Sequence, residues 1–124
     1  MAAVNVLTPY GAGLLQNTIA ALTLYVGTGS GVANGLLTEF TDSAYARQPV
    51  TLVANGAQSS NAAGVTFGPA GPSGWAVQAI ALFDAATAGD CIMLGALDAP
   101  YVVASGGFLT YAAGTLIFAF NTPA

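Results

Sequence analysis

WAVQAIALFDAATAGDCIMLGAL, residues 75–97, is the stretch that decides the fold. Its first part alternates, placing Val77, Ala79, Ala81 and Phe83 on one face of an extended chain, with Trp75 at the start. Residues 91–97 form a short apolar run between Gly89-Asp90 and Asp98-Ala99-Pro100, the pattern of a strand bounded by turns. The connection over 84–90 is built of small residues with a carboxylate at each end. Asp side chains accept from nearby backbone N–H groups and so close turns, and Gly89 supplies the positive φ that a hairpin exit needs. The segment therefore predicts a β-hairpin in which Asp84 and Asp90 close the turn.

Working outward, residues 22–26 predict a first strand, and the glycine-rich residues 27–31 after it read as a surface loop. No Lys follows those glycines, so they do not make a phosphate-binding loop. Residues 32–43 continue irregularly, with a turn at Asn34-Gly35. A second strand spans 45–53, with Pro49 marking an edge strand, a bulge or a strand start. Asn55-Gly56 is a turn, residues 59–67 are a third strand, and 68–74 are too rich in Gly and Pro for regular structure. Three short strands follow over 101–103, 108–111 and 115–121. The last, TLIFAFN, is apolar on both faces, which predicts the middle of a sheet or a subunit interface. The aromatics Tyr101, Phe108, Tyr111, Phe118 and Phe120 are expected in the core. About eight strands at intervals of roughly ten residues predict an all-β fold, an antiparallel β-sandwich or jelly-roll-like domain over 22–124.

Residues 1–21 are the least β-like part. Thr8 caps and Pro9 opens a short helix, with Leu14, Leu15, Thr18, Ile19 and Leu22 at helical spacing, while Gly11 and Gly13 weaken it. The expectation is a short helix over one open end of the sandwich, or an arm that packs on a neighbour.

Charge bounds the function. Only 5% of the 124 residues are charged, against about a quarter in an ordinary soluble domain. Arg47 is the sole cation, facing Glu39, Asp42, Asp84, Asp90 and Asp98. A surface so poor in charge resists association badly, so a homo-oligomer is expected, with much of that surface covered by other subunits. One Arg cannot neutralise a phosphate backbone or an anionic bilayer, so nucleic acid and membrane surfaces are excluded as partners. No apolar run approaches the ~20 residues of a membrane-spanning helix, and no secretory signal is evident at the amino terminus.

Catalytic constellations fail on composition. There is no His for a Ser-His-Asp, Cys-His or zinc arrangement, and no Lys for a Ser-Lys pair. Asp84 and Asp90 are explained by turn closure rather than as a glycosidase pair, and no calcium-loop spacing is present. No cofactor or metal is expected, and the chain is not read as an enzyme. Cys91, alone in an apolar run, reads as a buried structural thiol. Arg47 is expected to clamp a loop to its strand by pairing with Glu39, Asp42 or an acid of a neighbouring subunit. Its alternative use is as a fork for a carboxylate or phosphate ligand. Trp75 reads as a core or interface anchor.

The segments YARQPVT (45–51), SNAAGVTFGPA (60–70), GWAVQAIALFDAATAGD (74–90), GAL (95–97) and FLTYAAGTLIF (108–118) resemble, in that order, a group of small bacteriophage virion proteins usually labelled tail fibre proteins. The resemblance covers roughly 22–120, and its most specific parts are Tyr-Ala-Arg-Gln and Phe-Asp-Ala-Ala-Thr-x-Gly. It implies a single β-sandwich domain preceded by a short helix, in a virion structural protein made in the host cytoplasm. The chain departs from the group in its scarcity of charge and in a longer glycine-rich stretch after Val26. Composition and resemblance together lead to the expectation of a capsid decoration (cement) protein, a trimer on the head exterior against the major capsid protein. The alternatives are a tail-fibre or tail-tip subunit and a carbohydrate-binding module in which Trp75 or Tyr45 stacks on a sugar.

Overall fold

The computed structural model describes residues 8–119. These contain one helix, α1 (Pro9–Ala20), and ten strands: β1 (Leu24–Ala33), β2 (Leu36–Glu39), β3 (Gln48–Val50), β4 (Leu52–Asn55), β5 (Gln58–Asn61), β6 (Val65–Phe67), β7 (Trp75–Phe83), β8 (Cys91–Val103), β9 (Leu109–Tyr111) and β10 (Ile117–Ala119). All pair antiparallel. The main sheet runs β2-β1-β7-β8, with β3 also on β1; a second runs β10-β5-β4; β6 and β9 form a ribbon. One core draws Leu24, Val26 and Leu82 from the first, Leu52 and Phe118 from the second, and Phe67 and Leu109 from the ribbon. The molecule is an all-β, sandwich-like domain with a single short helix among the described residues.

The hairpin predicted from 75–97 is its spine. β7 and β8 pair from Phe83↔Cys91 back to Trp75↔Val103, and β1 covers the other edge of β7. Val77, Ala79, Ala81 and Leu82 are all excluded from solvent, so this central strand is buried on both faces towards its end. Instead of ending at Asp98-Ala99-Pro100, β8 runs through it to Val103, and residues 101–103 are no separate strand. Register moves from Val77↔Tyr101 to Ala79↔Ala96, so residues 97–100 bulge from the outermost strand. An edge strand tolerates a bulge and a proline because its outer side has no ladder to break.

The glycine-rich residues 27–31 are strand, not loop. Gly27 and Gly29 pair with Ala81 and Ala79, and Thr28 between them is fully buried. A Cβ on Gly27 would sit 2.8 Å from Phe83 Cε2 and 2.9 Å from the Tyr45 hydroxyl, so the close approach requires bare backbone there. Asn34 and Gly35 both take positive φ, +55° and +74°, the pair a type I′ turn requires. They join β1 to β2, giving order to a segment the sequence reading leaves irregular.

The predicted strand over 45–53 is shared between two sheets. β3 pairs with β1 and β4 pairs with β5, so the chain crosses the sandwich at Thr51. The strand predicted over 59–67 divides in the same way into β5 and β6, and Ala62 N–H donates to Thr51 O at 2.8 Å, tying the two crossings together. Pro49 lies in β3, whose described pairing is with β1 alone. β10 is the outermost strand of its sheet rather than a middle one. Phe118 is buried, whereas Tyr101 and Phe108 are largely exposed, so not every strand aromatic enters the core. Phe120 and Asn121 of that expected strand lie outside the described residues, as do residues 1–7 of the expected arm.

Thr8 Oγ1 accepts from Gly11 N–H at 3.1 Å and caps α1, with Pro9 opening its first turn. The face it buries is Ala12 and Gln16, not Leu14 and Leu15, which stay exposed. Gln16 decides this orientation. Its amide donates to Phe118 O at 2.8 Å and Ala57 O at 3.2 Å, and its carbonyl accepts from Ser59 Oγ at 2.6 Å. A buried amide must be satisfied, and this rotation of the helix satisfies it.

Candidate functional site

Arg47 precedes β3 and sits at the centre of the densest polar cluster. Its Nη2 meets Glu39 Oε1 at 2.7 Å and its Nε meets Oε2 at 3.0 Å, the two-pronged fit of guanidinium to carboxylate. Its Nη1 donates to Ala88 O at 2.7 Å and Ala85 O at 2.9 Å, and the guanidinium lies 3.5 Å over the Phe83 ring. Tyr45 completes the cluster, donating to Glu39 Oε2 at 2.6 Å and accepting from Thr28 N–H at 3.1 Å. The two most specific strings of the sequence, Tyr-Ala-Arg-Gln and Phe-Asp-Ala-Ala-Thr-x-Gly, thus meet in space as the two halves of one lock.

The second string divides the work among its positions. Phe83 is the ring under Arg47, and the Ala85 and Ala88 carbonyls receive it. Asp84 Oδ1 accepts from Asp90 N–H at 2.7 Å, and Asp84 N–H donates to Asp90 O at 3.2 Å. Asp84 therefore closes the turn through its carboxylate and Asp90 through its backbone. Ala88 and Gly89 supply the two positive φ values, +53° and +66°.

Of the acids offered by the sequence, Arg47 takes Glu39 and leaves Asp42 to another partner. Asp42 Oδ2 accepts from Trp75 Nε1 at 3.0 Å and from Gly71 N–H at 2.8 Å. The indole stacks on Phe40 at 5.2 Å between centroids and is 3% exposed. A sugar needs an open aromatic face, and Trp75 offers none. Tyr45 is equally engaged, stacked on Phe67 at 6.3 Å with its hydroxyl committed to Glu39. The stacking platforms invoked for a carbohydrate-binding module are thus absent at both residues.

The electrostatics of the cluster follow from these bonds. Burial alone would raise the Glu39 carboxyl, but the bonds from Arg47 and Tyr45 outweigh it and hold it below its ordinary value. The bond to Glu39 raises Arg47, and burial together with Glu39 raises Tyr45. Burial also pushes the nearby Cys91 thiol up despite the charge of Arg47. Among the described residues, no group of three His, Cys, Asp or Glu side chains is placed to hold a metal ion, and no helix is long and apolar enough to cross a membrane.

Sequence reasoning missed the polar ties away from this lock. Asn61, buried, donates to Ala63 O at 2.9 Å and Ala112 O at 3.0 Å and accepts from Leu116 N–H at 2.9 Å, fastening β5 to the turn before β10. Gln16 and Asp42 play comparable parts. Nothing local in the sequence distinguishes them, because their partners lie far along the chain.

No curated protein matches the sequence. A family model described as Podophage GP4 fiber I protein gp80 matches residues 15–119, which takes in all ten strands and both halves of the Arg47 lock. The chain therefore belongs to the Podophage GP4 fiber I protein gp80 family, and is a phage virion structural protein of the fibre type.

Proposed function

We propose that the chain is a tail-fibre subunit, a building block whose work is mechanical rather than catalytic. The family match over 15–119 carries this reading, and it favours the fibre over the capsid-decoration role expected from composition. That expectation rests on a single small domain and a charge-poor surface. Both suit a compact fibre module equally well.

The lock supports a mechanical part. Two hydrogen bonds from Arg47 Nη1 fix the β7–β8 turn to the β2–β3 connection, and two more from Nε and Nη2 hold the guanidinium to Glu39 at the end of β2. Separating purified virions into heads and tails and quantifying the protein in each tests the assignment. A fibre subunit leaves with the tail in few copies per particle. Retention on tail-free heads in proportion to the major capsid protein overturns it.

A further inference from the structure

We infer that the notch between the β2–β3 connection and the β6–β7 connection is a docking site for a basic side chain, the ammonium of a Lys or the guanidinium of an Arg, carried by a different protein. The inference rests on the carboxylate of Asp42 and is independent of whether the subunit sits on a tail or a head.

Charge isolates Asp42. The chain has five acids and one cationic side chain. Arg47 commits its fork to Glu39 and its Nη1 to Ala85 O and Ala88 O. Asp84, Asp90 and Asp98 stand at exposed positions, where water solvates them. Asp42 is partly buried, and among the described residues no cationic side chain lies against it.

Its two oxygens differ. Oδ2 accepts from Trp75 Nε1 and from Gly71 N–H, and a Cβ on Gly71 would collide with it, so the β6–β7 connection closes on this oxygen with bare backbone. Oδ1 is shut off from solvent and has no hydrogen-bond partner among the described residues. A buried acceptor on a charged group is strongly unfavourable when left unpaired. A cationic donor satisfies the acceptor and compensates the charge together, whereas a water molecule does only the first.

Space for such a donor adjoins the carboxylate. Asp42 lines a notch of about 240 Å³ together with Phe40, Thr41, Pro72, Ser73 and Trp75. That is several times the roughly 30 Å³ share of one water molecule, and it admits the end of a long side chain. Pro72 and Ser73 are exposed and belong to an irregular connection, so the notch can widen towards Oδ1. Phe40 offers an organic cation an aromatic wall. A calcium ion would call for six or more oxygens, and Oδ2 is already engaged. A second copy of this chain has no side chain to offer, since its one Arg is held in its own lock. The partner is therefore another protein, and the net charge of −4 favours the approach of a basic one.

Nuclear magnetic resonance of the full chain tests this, because Trp75 is the only Trp and its indole N–H is bonded to Asp42. Nα-acetyl-lysine methylamide and Nα-acetyl-arginine methylamide are the probes. At least one is expected to shift the indole signal saturably, at a concentration about tenfold or more below that of the uncharged norleucine analogue. In Asp42→Asn the amide oxygen still accepts from Trp75 and Gly71 while an NH2 group replaces Oδ1, so the fold stays and the shift disappears. Should that variant unfold, the contrast between charged and uncharged analogues on the wild type decides alone. A signal that responds to neither basic probe overturns the inference, whether or not calcium chloride moves it. So do an equal response to the norleucine analogue, and a shift that persists in folded Asp42→Asn.

Discussion

Replacing Arg47 by Gln removes the group on which the β7–β8 turn and the β2–β3 connection are both fastened. The magnitude follows from what each lost contact leaves behind. The Arg47 and Glu39 side chains are 9% and 26% exposed, so Glu39 keeps a charge in a poorly hydrated place with Tyr45 as its remaining side-chain donor. Stranding a charged acceptor costs about 1–3 kcal/mol, and loss of the guanidinium over Phe83 adds about 0.5–1 kcal/mol. The Ala88 carbonyl, in an exposed turn, rehydrates and contributes little. The expected loss is about 2–4 kcal/mol, which for a chain of 124 residues lowers Tm by roughly 10 °C. Arg47→Lys keeps the charge and loses the fork, and is expected to lose about half as much. Urea unfolding followed by Trp75 fluorescence, at one fixed protein concentration, measures both. A double-mutant cycle with Glu39→Gln separates the pair from the rest, with an expected coupling of about 1–2 kcal/mol. An Arg47→Gln loss below about 1 kcal/mol, or a coupling near zero, refutes the lock.

Three further outcomes follow from the same geometry. Glu39 has a folded-state pKa below its ordinary value of 4.5, so the unfolded chain binds more protons in that interval and stability rises with pH there. Its contribution is complete above 4.5 and fades as pH falls through the lower folded value; urea midpoints across the acid range are expected to decline less steeply in Glu39→Gln. Gly27→Ala drives a methyl group towards Phe83 and Tyr45 and is expected to cost about 1–3 kcal/mol. Gly31→Ala in the same strand meets open space and stays within about 0.5 kcal/mol of wild type by the same denaturation assay. Gln16→Ala strands the Ser59 hydroxyl and the Phe118 carbonyl, with an expected cost of about 1–3 kcal/mol. Proteolysis of native protein is expected to release α1 faster in that variant.

The sequence reveals what is local and hides what is not. The 75–97 hairpin is legible because a period of two and a turn of small residues sit next to each other in the chain. The crossings at Thr51 and after Asn61 are hidden because alternation continues while the pairing partner changes. Residues 27–31 look like a loop because glycine is read by its freedom. Their real constraint is Tyr45, whose hydroxyl meets the Thr28 amide from 17 positions away. The orientation of α1 depends on acceptors at Ala57 and Phe118, and no helical pattern in residues 9–20 encodes them. At the lock, scarcity helps: one cation among five acids narrows the partners of Arg47 on composition alone. The choice of Glu39 over Asp42 is not legible, since it depends on Trp75 claiming Asp42 across 33 positions.

Placement on the particle tests the fibre assignment most directly. Gold-labelled antibody against this chain, imaged on intact virions, is expected to mark the tail fibres and leave the head surface bare. Labelling spread across the head lattice, with unmarked fibres, contradicts it.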